Sequence, residues 1–303
     1  MKFHHCTIIM LFLGVPGAWS AASKPPLDQK IVTSAERGEA DAQFQLARAY
    51  LHGDGVPKDV KKAFELMKAA ADQGNAEAIG GLGYFYSVGI SVPKDEKQAA
   101  VWFRKGAEKG SAKAQLNLAK LLLAGKENAA PEGASDKSPD KLIEEGLQWM
   151  LKAADQGLPE AELAYGNILY FGDHAVTKDY GKAARYLKKA AESGMPDAQN
   201  SFGVMLESGL GVPMDERAAR EWFRKAALMG NIKAQGNLGR ILGPLVEYRN
   251  TRIEAVAWLL IASSQGEVTA SKSLADSAPG LKEGEFELAK QKSAELRATI
   301  RKK

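Results

Sequence analysis

A catalytic or metal site needs a nucleophile, a ligand cage, a phosphate cradle or a matched acid and base, and this 303-residue chain offers little material for any of them. Cys6 is its only cysteine. It lies ahead of an apolar run near the start, where neither a lipidated cysteine nor a disulfide partner is expected. Past that region the histidines are His52 and His174. A zinc cage built on them would need carboxylates that no local motif supplies, so each reads as a solvent-exposed turn residue. No G-x-S-x-G elbow, P-loop or dinucleotide glycine fingerprint occurs. Asp59, Asp95, Asp179 and Asp215 recur after glycine-bearing turns, most with proline as well, such as GDGVPKD (53–59) and GLGVPMD (209–215). An aspartate placed there suits a helix cap better than a catalytic acid. No catalytic residue, metal ligand or cofactor follows from these residues.

The elements that carry them repeat. Gly38, Gly74, Gly110, Gly157, Gly194, Gly230 and Gly266 end similar short motifs, at spacings of 36, 36, 47, 37, 36 and 36 residues. Four residues past each of the first six stands Ala42, Ala78, Ala114, Ala161, Ala198 or Ala234. Four further on comes Leu46, Leu82, Leu118, Tyr165, Phe202 or Leu238, followed at once by alanine or glycine. Those steps share one face of a helix, with the small residue where another helix approaches closely. A second helix follows, its buried face opening at Ala63, Ala99, Ala183, Ala219 or Ala255. Three residues later stand Leu66, Trp102, Tyr186, Trp222 and Trp258, with Trp149 their equivalent in the third unit. Aromatic stripes at helical spacing pack inside, so Trp102, Trp149, Trp222 and Trp258 are expected buried between consecutive helix pairs.

This pattern, from the glycine ruler to the G-x-G-V-x-x-D turn, resembles the Sel1-like repeat family, relatives of the tetratricopeptide repeats. The tetratricopeptide unit itself is shorter, about 34 residues, and lacks that turn. The resemblance covers 38–266 as six units, with Ala270, Leu274 and Ala275 starting a seventh. It implies an all-α fold, a right-handed α/α solenoid with a concave groove, in which each pair buries its apolar face against its neighbours. It also implies a non-enzymatic scaffold that grips a protein partner through the concave face of the first helices. Mapped through the register, that face carries Gln45, Arg48, Tyr84, Asn117, Lys120, Asn167, Tyr170, Asn200, Glu207, Asn237 and Arg240. Asn and Gln can pair with an extended backbone, while Tyr and Arg are frequent interface anchors. The partner is expected to be an envelope protein. The alternative is an immunity role against a type VI secretion lipase-type toxin, as in some exported Sel1-like proteins. Beta-lactam or cell-wall hydrolysis is a weaker reading, because the relatives linked to beta-lactams carry a disulfide in each repeat and this chain has no cysteine pair.

The flanks complete the division. Lys2, the apolar run 7–15 and the small residues around Ser20 to Ala22 have the three parts of a secretory signal, giving a leader over 1–22 and a periplasmic or secreted chain. Residues 23–37 read as a linker and lead-in helix. The stretch 126–140 is a surface insertion of the kind loops tolerate. Residues 267–303 hold the partial repeat and a capping helix, with Phe286, Ala289, Leu296 and Ile300 spaced along one face. With 45% hydrophobic and 26% charged residues the composition is globular. A net charge of +4 with interspersed signs lacks the basic stripe of a nucleic-acid binder, and no later apolar run reaches membrane-span length.

Overall fold

The computed structural model describes residues 26–124, 138–174, 176–243, 249–277, 280–282 and 284–300. The expected leader, residues 126–137 of the insertion and 244–248 of the last inter-helix turn lie outside them. A short α1 (Gln29–Glu36) leads into six helix pairs. These are α2 (Ala40–His52) with α3 (Val60–Asp72), α4 (Ala76–Val88) with α5 (Glu96–Glu108), and α6 (Ala112–Leu123) with α7 (Pro139–Asp155). Then come α8 (Pro159–Phe171) with α9 (Tyr180–Glu192), α10 (Pro196–Ser208) with α11 (Glu216–Leu228), and α12 (Ile232–Leu242) with α13 (Arg249–Ser263). α14 (Val268–Ser277) opens a seventh unit and α15 (Glu285–Ile300) ends the described chain. Consecutive helices pack on one another from α1 to α14, and no strand occurs among the described residues, so the architecture is a right-handed α/α solenoid.

Each unit is closed by local chemistry. Gly230 takes φ 89°, a left-handed conformation that costs glycine little. There its N–H donates to the Ala227 carbonyl at 3.0 Å, and the Asn231 N–H to that of Ala226 at 3.0 Å. Asn231 then caps α12, its Oδ1 accepting from the Ala234 N–H at 2.8 Å. Asn75 and Ser111 do the same for α4 and α6, while Pro159 and Pro196 occupy the first position of α8 and α10. The recurring aspartates cap the second helices: Asp95 Oδ1 accepts from the N–H groups of Lys97 and Gln98 at 2.9 and 3.0 Å. The Asp95 N–H also donates to the Tyr86 carbonyl at 2.9 Å, tying the end of α4 to the start of α5. Asp59, Asp179 and Asp215 repeat both bonds, which explains why the turn carries this residue.

The alanine ladder of the first helices is buried throughout. The small residue of the register is required sterically: a Cβ on Gly203 would lie 2.7 Å from the Phe223 ring. The tryptophan ladder departs from expectation. Only Trp258 is fully buried; Trp102, Trp149 and Trp222 are half-buried. The position one residue later is buried in every second helix, at Met67, Phe103, Met150, Leu187, Phe223 and Leu259. One residue turns a helix by about 100°, which moves the tryptophan to the rim of the interface. There a lysine three positions on lies over the ring: Lys105 over Trp102 at 4.7 Å, Lys152 over Trp149 and Lys225 over Trp222, both at 4.2 Å. Trp258 escapes this because α13 is enclosed by α12, α14 and α15.

α15 packs on α13 and reaches α11. Its buried line runs through Glu285, Ala289 and Ser293, and Leu296 and Ile300 pack against the main core. Phe286, expected on that line, is half-buried under Lys290. Ala275 of α14 is exposed, and among the described residues no further helix pair stacks on its side.

Candidate protein-binding face

Most polar residues that recur in the register are used up by the stack itself. Gln115, Gln199 and Gln235 are buried near the start of their helices, and each donates from Nε2 to the carbonyl eight residues back, at 3.1 to 3.2 Å. Gln156 and Gln265 in turn donate to the Oε1 of Gln115 and Gln235, at 2.7 and 2.8 Å. Gln73 does likewise to Gln43 at 2.8 Å. Met229 stands where Gln199 would find that partner, and the buried Gln199 Oε1 has none. Glu162 occupies the same register position in α8. Burial pushes its carboxyl above the usual value, and Glu192 adds to the rise against the opposing pull of Lys189. This glutamine row escaped the sequence reading, although its place five residues past Gly38, Gly110, Gly194 and Gly230 was visible. On the second helices, Arg104 pairs with Glu145 and Arg224 with Glu254, whose carboxylates also accept from the indole N–H groups of Trp149 and Trp258.

What this leaves is the first-helix face. Arg48, Tyr84, Lys120 and Gln45 are exposed on α2, α4 and α6, with the Tyr84 side at 44% exposure and Arg48 lying over the Phe44 ring at 5.9 Å. Asn117 is half-buried beside them in register. The residues of α8, α10 and α12 come together. Asn167, Tyr170 and Phe171 of α8, Asn200, Ser201 and Val204 of α10, and Lys233 of α12 line a pocket of about 190 Å³. Asn237 donates from Nδ2 to Asn200 Oδ1 at 2.9 Å. Tyr170 is held by edge-on contacts with Phe171 and Tyr180, at ring distances of 4.8 and 5.6 Å. Further along, Arg240 and Glu207 bond at 2.7 Å, which holds the guanidinium in its charged form. That pair is engaged internally and presents little free charge. Phe171, exposed at 59%, Val204 and Lys233 belong to this region although the register mapping passed over them. An exposed aromatic beside the predicted face was the available signal.

His52 and His174 are both exposed and lie in different units. His174 is in a turn as expected, whereas His52 is the last residue of α2 rather than a turn residue, because the helix runs on to its Gly53 cap. Among the described residues, no three or more His, Cys, Asp or Glu side chains cluster closely enough to hold a metal ion. None of the described helices is long and apolar enough to cross a membrane.

The family model described as Sel1 repeat matches residues 40–75, 76–111, 112–158, 159–195, 196–231 and 232–267, so its unit boundaries fall on the turns just described. The crystal structure of a Sel1 repeat protein from Oxalobacter formigenes is similar at a TM-score of 0.56 and 27% identity, over 71% of this chain and 87% of that one. A protective antigen of uropathogenic Escherichia coli, c5321, aligns at 24% identity over 90% of this chain and 73% of its own, with a TM-score of 0.38. The immunity protein Pa5087 from Pseudomonas aeruginosa aligns at 21% identity over 73% and 74%, with a TM-score of 0.43. No curated protein matches this chain significantly.

Proposed function

This chain belongs to the Sel1 repeat family, and we propose that it is an exported, non-catalytic scaffold that grips a protein partner through its first-helix face. Sel1 repeats form protein-interaction scaffolds, and the carrying observation here is what the stack does not use. The recurring aspartates, asparagines and glutamines are spent on caps and unit closure. The first helices keep exposed Arg48, Tyr84 and Phe171 and a pocket crossing three units. A face of this kind spreads contact over several repeats, with aromatic and arginine anchors dominating the energy. The leader-like start supports a periplasmic setting.

The test is capture from a periplasmic extract by the wild-type chain and by the combined Arg48→Ala, Tyr84→Ala and Tyr170→Ala variant. The variant should lose the partner while keeping its helicity. Its melting temperature is followed in parallel, since Tyr170 packs on Phe171 and Tyr180. Unchanged capture moves the site off this face. Turnover of a lipid, cell-wall or beta-lactam substrate that disappears on replacing one acidic residue refutes the scaffold reading. The identity of the captured protein separates an envelope partner from a toxin. N-terminal sequencing of the exported form should begin at Ala21 or Ser23; intact Met1 recovered from the cytoplasm refutes export.

A further inference from the structure

We propose that the pocket between α8 and α10 is a subsite for an acidic side chain of the partner, presented on an extended segment with an aromatic or aliphatic neighbour. The inference rests on the scaffold reading and adds the chemistry of the occupant. Its basis is the charge and donor inventory of the pocket. Lys233 supplies the one ionic group among the lining residues, and it is exposed and makes no ion pair among the described residues. Both carboxylates of α10 are engaged elsewhere: Glu207 by Arg240, and Asp197 by the Asn231 side-chain N–H at 2.7 Å. Glu207 is neutralised by Arg240, whereas Asp197 keeps its charge, but neither lines the pocket or forms an ion pair with Lys233. Asn200 Oδ1 is occupied by Asn237, which leaves the Asn200 Nδ2 hydrogens as donors. A cation and a fixed amide donor in a pocket lined by no acidic side chain are complementary to a carboxylate. Phe171 and Val204 supply the apolar side, and the volume of about 190 Å³ admits a side chain but not a folded element. A basic or phosphate-free neutral segment would leave Lys233 unpaired.

The probes are two blocked hexapeptides differing at one position, aspartate in one and asparagine in the other, each with phenylalanine beside it. They are titrated into the isotope-labelled full chain and followed by amide shifts. The aspartate peptide should perturb α8, α10 and the start of α12, and bind about fivefold more tightly than its neutral twin at low salt. Added salt should narrow the difference. Lys233→Glu, an exposed change that leaves the core untouched, should reverse the order. Equal affinities, an order unchanged in Lys233→Glu, shifts on other helices, or no binding by either peptide overturns the subsite. If the chain still captures its partner through the first-helix face, the scaffold reading survives that loss. Conversely, salt-sensitive binding of the aspartate peptide at this pocket supports the subsite even if Arg48 and Tyr84 prove irrelevant to capture.

Discussion

Glu162 sits where three other units place a glutamine that donates to the carbonyl eight residues back. A carboxylate there faces acceptors with nothing to donate, and its burial raises the carboxyl pKa. Because the folded value lies above the unfolded one, the favourable contribution is complete below the ordinary value of 4.5 and is lost as pH rises through the folded value. Glu162→Gln should therefore stabilise the chain at neutral pH by about 1 kcal/mol, the net worth of one hydrogen bond. The gain should shrink towards acid. Denaturant midpoints measured across pH check this; a neutral-pH loss of stability would show that Glu162 has a partner glutamine cannot replace. The residue was legible in sequence as a register position, but its burial was not, since polar residues at a helix start ordinarily face water.

The second helices show how one residue of phase redistributes energy. Phe223 is fully buried against Gly203, and Trp222 lies at the rim with Lys225 over its ring. Phe223→Ala should cost about 3–5 kcal/mol, as truncation of a buried aromatic does. Trp222→Ala should cost about 1–2 kcal/mol, because part of that ring is already solvated and shielded only by a lysine stem. Equilibrium unfolding of both variants orders them; a larger loss for Trp222 would contradict the observed burial. Periodicity located the stripe, yet it could not choose between adjacent positions when both are aromatic, as at Trp102-Phe103 and Trp222-Phe223.

At the scale of the molecule, a stack of units needs its last apolar face sealed. α15 does this, and a buried ion pair fixes where it docks. Arg252 of α13 donates to both oxygens of Glu285, at 2.9 and 2.8 Å, and the Lys282 N–H donates at 2.9 Å. Those bonds, the Arg252 contact foremost, hold the Glu285 carboxyl at about 2, below its usual 4.5. A depressed value means the stabilisation is complete above the ordinary value and is lost as pH falls through about 2. The seal should loosen in strong acid before the central repeats do. Hydrogen exchange compared at about pH 6 and at about pH 2 should show α15 gaining exchange relative to α9 once intrinsic rates are corrected. Glu285→Gln should show the loosening already at about pH 6. Equal protection of α15 in that variant would mean that Ala289, Leu296 and Ile300 hold the seal unaided.

The sequence by itself determined the all-α class, six units and their boundaries, because spacing near 36 residues and a glycine–aspartate grammar are local signals that each unit repeats. The aspartate caps were legible for the same reason: cap and capped N–H lie within three residues of each other. Only the tertiary structure decided which of two neighbouring aromatics faces the core, that Arg252 and Glu285 meet across 33 residues, and that Asn167, Asn200 and Lys233 share one pocket. Those outcomes depend on the rotation of one helix against another and on the offset between successive units. No local pattern of residues encodes such an offset, since it is set by the sum of side-chain volumes at every interface in the stack.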